Sequence, residues 1–145
     1  MAETRGPETG AKLVLLAEDS EDEIFLFKRA FARTGITHKL HVVQDGAEAV
    51  AYLMGRGKYA DRNQYPFPVL FLLDLKMRTM SGFEVLQWAR SEPHTKELAI
   101  IVLTSSENSH DAKVAYRLGA SSFLTKAHDF EEFVEQLNRL KGNWL

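Results

Sequence analysis

Three carboxylates directly follow two of the most apolar stretches of the chain. The run "LVLLA" (13–17) leads into Glu18 and Asp19, and the run "VLFLL" (69–73) leads into Asp74. If these side chains converge, they repel, since two unit charges about 4 Å apart at an effective dielectric constant of 20 cost roughly 4 kcal/mol. Unless protonated, such a cluster requires a cation, and an all-oxygen ligand set suits a hard ion such as Mg²⁺.

Two further apolar runs end in residues that could bind an anion. "AIIVL" (99–103) is followed by Thr104 and Ser105, and "SSFLT" (121–125) is followed by Lys126. Hydroxyl and ammonium groups can neutralise phosphoryl oxygens, and phosphoryl transfer demands mainly positioning and charge neutralisation. We assign none of the serines as a nucleophile, because no partner histidine is evident.

The residue types divide into three chemical roles. A carboxylate can itself act as a nucleophile and form an acyl phosphate. Asp74 is therefore the candidate nucleophile, Glu18 and Asp19 are candidate metal ligands, and Thr104 and Lys126 are candidate ligands of phosphoryl oxygens.

The segments that must position these residues alternate between strand and helix. Strands are predicted at 13–17, 39–43, 69–73, 99–103 and 121–125. Helices are predicted from Ser20 to near Gly35 and at 46–54, 82–90, 111–119 and 129–141. Ser20 and Glu23 match a capping box at the start of the first helix.

The strand pattern predicts an α/β fold with a doubly wound parallel sheet. The first, third and fourth strands are almost continuously apolar, which indicates burial on both faces. In an open sheet of this kind the ligand site lies beyond the carboxyl ends of the strands. The candidate residues would therefore share one edge.

Composition limits the classes of function. The chain has 145 residues, of which 45% are hydrophobic, a net charge of −2 and no cysteine. We expect a disordered tail over residues 1–11 and a single domain over residues 12–145. No signal peptide and no apolar run of about 18 residues is evident. The expectation is a cytoplasmic protein with neither nucleic acid nor membrane as a partner.

The sequence resembles the response-regulator receiver domains of two-component signalling, which are CheY-like. The resemblance runs from about Lys12 to Leu140 and is carried by "LLAEDSED", "LLDLKMRTMSGFEVL", "IIVLTSS" and "LGASSFLTK". It implies a (βα)₅ fold with strand order 2-1-3-4-5, the flavodoxin-like arrangement.

The resemblance also implies a phosphorylation site. Asp74 would accept a phosphoryl group from a phosphohistidine on a sensor histidine kinase or a phosphotransfer protein. Mg²⁺ would lie on Asp19, Asp74 and the backbone carbonyl of Lys76, with Glu18 nearby through water. Such a chain is not a classical enzyme, although it catalyses its own phosphorylation and its own slow dephosphorylation.

The remaining matches concern signal output. Thr104 and Lys126 match the phosphoryl-sensing hydroxyl and the lysine of the family, and Phe123 matches its aromatic switch. We expect no output domain beyond the receiver, so the chain resembles a stand-alone regulator that acts through a downstream protein. The long connection before the third strand and the "NWL" ending are similar to the small regulators that partner bacterial phytochromes. A homodimer through the fourth helix, fifth strand and fifth helix is a further expectation.

Three positions depart from the usual family pattern. Ala127 follows the lysine, where proline is usual, and Arg78 also stands where proline is usual. Lys76 lies two residues after the acceptor, where asparagine is common. These departures bear on rates and on fine geometry.

Three alternatives stay open. A degenerate receiver would bind partners without phosphorylation. A phosphatase of the haloacid-dehalogenase type also uses an aspartate nucleophile, but it needs a second aspartate where this chain has Lys76. A flavodoxin-like flavin binder shares the fold, but its first loop must cradle a phosphate, which "EDSEDE" would repel.

Overall fold

The computed structural model describes residues 12–145, so the tail expected over residues 1–11 lies outside the described part. The strands are β1 (Leu13–Ala17), β2 (Lys39–Val43), β3 (Leu70–Leu73), β4 (Ile100–Thr104) and β5 (Ser122–Thr125). The helices are α1 (Glu21–Arg33), α2 (Gly46–Met54), α3 (Gly82–Ser91), α4 (Ser109–Arg117) and α5 (Phe130–Trp144), with a short 3₁₀ helix at Gly57–Ala60. The predicted elements are confirmed, with ends that differ by at most three residues.

The sheet is parallel throughout, with the order β2-β1-β3-β4-β5. The predicted order 2-1-3-4-5 is therefore confirmed. Strands β1 and β3 are neighbours at the centre of the sheet, and their register pairs Ala17 with Leu73. The backbone N–H of Asp74 donates to the carbonyl of Ala17 over 3.1 Å, which continues this pairing beyond the end of β3.

Alternate residues of the central strands enter two separate cores, one on each face of the sheet. Leu15, Phe71 and Val102 pack under α2, α3 and α4. Leu16 and Leu72 pack on the other face, under α1 and α5. Because both faces are covered, the strands need apolar side chains at every position, which explains their continuous apolar runs.

Aromatic rings pack together where the long connection after α2 folds back beside the edge strand β2. The rings of His41, Tyr52, Tyr59 and Tyr65 have centroids 4.8–6.2 Å apart. The Tyr59 hydroxyl donates to Glu48 Oε2 over 2.6 Å. Burial of Tyr59, together with this bond, raises the pKa of its hydroxyl. The connection is thereby fixed to α2 rather than left as a loose loop.

Arg90 on α3 fixes two loops at the amino ends of the strands, whereas the candidate residues lie at the carboxyl ends. Its guanidinium donates to the carbonyl oxygens of Leu98 over 2.7 Å, Gly119 over 2.8 Å and Lys96 over 3.0 Å. Gly119 has φ = 107°, and a Cβ there would lie 2.6 Å from the Arg90 Cγ. The guanidinium thus ties the start of β4 and the start of β5 to α3.

Replacing Arg90 is expected to destabilise the fold strongly. The Arg90→Ala variant should lose more than about 2 kcal/mol in the free energy of unfolding, because several partly buried carbonyls lose their donor together. Arg90→Lys should rescue little of this, since an ammonium cannot span the same fork of acceptors.

Chemical denaturation measures the loss of stability. The matched control is Arg33→Ala, because Arg33 makes a two-bond ion pair with Glu131 that is open to solvent. Exposed pairs contribute little. Equal destabilisation by Arg90→Ala and Arg33→Ala would contradict this assignment.

Candidate functional site

The pairing of β1 with β3 brings the predicted carboxylates together. Glu18 and Asp74 each follow one member of the Ala17–Leu73 pair. Glu18, Asp19 and Asp74 each offer a carboxylate oxygen, and these three oxygens lie within 4.8 Å of one another. Glu18 is 2% exposed and Asp74 is 8% exposed, so two of the carboxylates are buried.

Burial makes the charged forms of these two carboxyls unfavourable. Desolvation raises the pKa of Glu18 above its ordinary value, although the hydrogen bond and the charge of Lys126 act in the opposite direction. Desolvation also raises the pKa of Asp74, against the lowering effects of Lys126, the Thr104 hydroxyl and the backbone amide of Leu75. Both groups therefore gain from a bound proton or from a further cation.

Lys126 supplies one positive charge beside this cluster. Its Nζ lies 2.7 Å from Glu18 Oε1 and 2.9 Å from Glu23 Oε1, and its side chain is 12% exposed. Burial alone would lower the pKa of Lys126, but the hydrogen bonds to Glu18 and Glu23 and the charges of Glu18 and Asp74 raise it above the ordinary value. The ammonium thus stays charged and lies on the α1 side of the cluster. All described peptide bonds are trans, including the one that joins Lys126 to Ala127.

Glu23 is the site residue that sequence reasoning missed. The sequence predicted a capping box, and the Ser20 hydroxyl does accept the Glu23 N–H over 3.3 Å. The second half of the box is wrong, because the Glu23 carboxylate binds Lys126 and the Ser20 N–H donates to Glu18 Oε2 over 3.1 Å. The capping pattern predicts only a local role for Glu23. The fold shows that its carboxylate contacts Lys126, just after the fifth strand.

Thr104 and Phe123 lie on the neighbouring strands. Thr104 is the last residue of β4, is 1% exposed, and directs its hydroxyl toward Asp74. Phe123 on β5 is half-buried against the core under α3 and α4. The backbone N–H of Phe123 donates to the Tyr116 hydroxyl on α4 over 3.1 Å. This bond links β5 directly to α4.

Lys76 lies at the open side of the cluster. It is exposed, and it borders a shallow depression together with Asp19, Arg78 and Asp111. Arg78 Nε lies 3.9 Å from Asp19 Oδ2, at the outer limit of an ion pair, and its side chain is 69% exposed. Two exposed cations, Lys76 and Arg78, therefore border the carboxylates on the solvent side, and Lys126 lies on the buried side.

Gly82 keeps the backbone after Asp74 in place. Its N–H donates to the carbonyl of Leu75 over 2.8 Å, and a Cβ at this position would collide with the carbonyl oxygen of Asp74. Helix α3 begins here, with Ser81 and Glu84 forming a complete capping box. The glycine in "SGFEVL" is therefore required by close packing of α3 against the candidate nucleophile.

The donor set fits a divalent cation. Glu18, Asp19 and Asp74 offer only oxygen, as a hard cation such as Mg²⁺ prefers. Lys126 offsets one of their charges and shares its own charge with Glu23. The three carboxylates carry more negative charge than the Lys126 ammonium offsets, and one divalent ion at this edge of the sheet would balance the remainder.

Comparison with known proteins agrees with the fold. The model of the response regulator receiver domain family matches residues 14–138. Rcp1, a response regulator of Synechocystis sp., is 32% identical over 134 residues, which are 92% of this chain and 89% of Rcp1. The chain therefore belongs to the response regulator receiver domain family of two-component systems.

Solved structures of response regulators share the fold. The phosphorylated cyanobacterial phytochrome response regulator RcpA superposes with a TM-score of 0.84 and 32% identity, covering 92% of this chain and 94% of RcpA. A response regulator in red light signalling of R. palustris gives a TM-score of 0.88 at the same identity and coverage. The Mn²⁺-bound form of Rcp1 gives a TM-score of 0.82 at 32% identity, covering 92% of this chain and 94% of the Rcp1 chain.

None of the helices within residues 12–145 is both long and apolar enough to cross a membrane.

Neutralising Asp74 is expected to stabilise the protein when no divalent ion is present. Because the pKa of Asp74 is raised by folding, the folded state holds its proton more tightly than the unfolded state. That contribution is present at low pH and is lost as the pH rises through the raised pKa. Asp74→Asn should therefore melt at a higher temperature than wild type at neutral pH, and the advantage should vanish in acid.

Thermal melts in EDTA across a pH series measure this effect, with about 2–4 °C expected for each kcal/mol in a domain of this size. Glu135→Gln removes an exposed carboxylate of α5 and is the matched control. An Asp74→Asn variant that melts below wild type at neutral pH would contradict the electrostatic description.

Proposed function

We propose that this chain is a stand-alone response regulator, with residues 12–145 acting as one receiver domain, that is phosphorylated on Asp74. The phosphoryl group comes from a phosphohistidine of a sensor histidine kinase or a phosphotransfer protein, and Mg²⁺ is required. The observation that carries this proposal is the convergence of three carboxylate oxygens within 4.8 Å of one another, beside a buried lysine and a buried threonine. We also propose that the protein is cytoplasmic, because the proposed donor is a sensor histidine kinase or a phosphotransfer protein.

Each side chain has a proposed task. A carboxylate oxygen of Asp74 attacks the phosphorus, the P–N bond breaks, and its electron pair leaves with the imidazole of the donor. Glu18 and Asp19, with the backbone carbonyl of Lys76, would hold Mg²⁺ beside Asp74. When bound, this ion supplies charge neutralisation for the phosphoryl oxygens.

The remaining charges complete the electrostatic stabilisation. The Thr104 hydroxyl already faces Asp74 and can donate to a phosphoryl oxygen. The Lys126 ammonium is held 2.9 Å from Glu23 in the unphosphorylated protein. A phosphoryl group on Asp74 adds negative charge close to that ammonium, so Lys126 is expected to exchange Glu23 for a phosphoryl oxygen.

The input is proposed to be a kinase of the phytochrome class. Support comes from the 32% identity to RcpA, a phytochrome response regulator, over 92% of this chain. A regulator in red light signalling of R. palustris has the same identity and coverage.

The alternatives fit the site less well. A degenerate receiver would have no need to keep Glu18 and Asp74 buried side by side, because their repulsion costs stability. A phosphatase of the haloacid-dehalogenase type needs a second aspartate at position 76 as its general acid, and this chain has the exposed Lys76 there.

Phosphorylation is expected at Asp74 alone and only with a divalent ion. After incubation with acetyl phosphate and Mg²⁺, intact mass should show the gain of one phosphoryl group in wild type. Asp74→Asn should show none, because it lacks the nucleophile, and EDTA should abolish the gain in wild type.

The matched control for this measurement is Asp22→Asn, which removes an exposed carboxylate from the first turn of α1 and should be phosphorylated normally. A phosphoryl gain in Asp74→Asn, or an undiminished gain in EDTA, would overturn the proposal.

The output surface is proposed to be the face formed by α4, β5 and α5, with Thr104 and Phe123 as the switch. Movement of Thr104 toward the phosphoryl group would vacate space beside the half-buried Phe123 ring. Burying an aromatic ring is worth roughly 1.5–3 kcal/mol, enough to shift a two-state equilibrium. The Tyr116 hydroxyl holds the N–H of Phe123 and would carry that shift to α4. A homodimer and an unidentified downstream protein are the proposed users of this face.

Phosphorylation is expected to alter self-association and hydrogen exchange at residues 105–125 in wild type. Thr104→Ala should still take up the phosphoryl group but should show neither change, because the switch has lost its hydroxyl. Sedimentation and exchange of both proteins, with and without acetyl phosphate, make the comparison. Identical exchange in phosphorylated and unphosphorylated wild type would remove this face as the output surface.

A further inference from the structure

Lys126 lies in a connection of four residues between the end of β5 and the start of α5. Its ammonium reaches Glu18 and Glu23, which stand 108 and 103 positions away in the sequence. A lysine side chain is flexible, so this reach depends on the direction in which the backbone aims its Cα–Cβ bond. The φ and ψ angles of Lys126 are therefore the quantities that must be fixed.

The side-chain amide of Gln136, one and a half turns into α5, binds the backbone on both sides of Lys126. Gln136 Nε2 donates to the carbonyl of Thr125 over 2.8 Å. Gln136 Oε1 accepts the N–H of Ala127, also over 2.8 Å. Only this orientation of the amide satisfies a carbonyl and an N–H together.

These two bonds hold both peptide planes that meet at the Cα of Lys126. The plane before it carries the Thr125 carbonyl, bound by Gln136, and the Lys126 N–H, which donates to the Thr104 carbonyl over 2.7 Å. The plane after it carries the Ala127 N–H, also bound by Gln136. With both planes fixed, φ and ψ of Lys126 are fixed as well.

The alanine at position 127 makes this arrangement possible. Proline, which is usual there in the family, has no N–H to donate and would leave Gln136 Oε1 without this partner. In this chain the rigidity of the connection comes from a side chain of α5 rather than from a proline ring.

We propose that Gln136 is a positioning residue for Lys126, which aims its ammonium at the carboxylate cluster by clamping the backbone of residues 125–127. Gln136 touches neither the carboxylates nor the ammonium and acts only through this backbone. The expected effect of Gln136 on phosphorylation rests on the proposed function. Its expected effect on the position of Lys126 does not.

The test compares Gln136→Met, which keeps the length of the side chain and loses both bonds, with Gln136→Glu, which keeps only the acceptor for the Ala127 N–H. Asn138→Ala removes an exposed polar side chain from the same helix and is the matched control. Trace acetylation of the unphosphorylated proteins, read by mass spectrometry, reports the reactivity of Lys126 relative to the exposed Lys113. Calorimetric titration reports the affinity for Mg²⁺.

In Gln136→Met, Lys126 is expected to acetylate several-fold faster relative to Lys113. Phosphorylation by acetyl phosphate is expected to slow by about tenfold or more, the scale of loss when a charged group is misplaced. Affinity for Mg²⁺ should rise rather than fall, because Glu18 and Asp74 keep their positions and lose the compensating charge of the ammonium. Gln136→Glu should show Lys126 reactivity and a phosphorylation rate between those of Gln136→Met and wild type. If Gln136→Met does not fold, the comparison of Gln136→Glu with wild type is the test.

Two results would overturn the proposal. One is unchanged Lys126 reactivity in both Gln136 variants. The other is a loss of Mg²⁺ affinity together with higher Lys113 reactivity and a lower melting temperature, which would make Gln136 an ordinary packing residue. If wild type itself takes up no phosphoryl group, the proposed function fails, while the reactivity of Lys126 still decides the role of Gln136.

Discussion

The burial of two carboxylates side by side is the constraint on which the rest of the site depends. Glu18 and Asp74 follow paired residues of the two central strands, and both are almost fully buried. Desolvation raises the pKa of each, so the fold keeps acidic groups where their charge is unfavourable. Such an arrangement persists only because packing of the surrounding elements over-determines it, and it favours any ligand that brings positive charge.

The surrounding structure can be understood as the support for that arrangement. The two apolar cores fix β1 against β3 from both faces, and Gly82 allows α3 to start directly against the Asp74 backbone. Lys126 reaches the cluster from the buried side, with its backbone held by Gln136 and its ammonium held by Glu23. The Lys126 ammonium is thus placed by α1 and α5, the two helices that cover the same face of the sheet.

Much of this could be predicted from the sequence, because apolar runs that end in polar residues locate both the strands and the edge where those residues meet. The strand order and the grouping of Glu18, Asp19 and Asp74 follow from that pattern and from the family resemblance. Glu23, Gln136 and Arg90 could not be predicted, because each acts through hydrogen bonds to distant segments. Local rules gave Glu23 a capping role, and nothing in helical periodicity separates the partly buried Gln136 from the exposed Asn138.

The most direct test of the central claim is a calorimetric titration of Mg²⁺ into the unphosphorylated protein, with Asp19→Asn for comparison. If Glu18, Asp19 and Asp74 converge to hold a divalent ion, wild type should bind one Mg²⁺ saturably. Asp19→Asn should lose that binding. The variant should keep the fold, because Asp19 is only half-buried and lies outside the strands. Absence of saturable binding to wild type, or equal binding to Asp19→Asn, would contradict the claim that these buried carboxylates form a cation site.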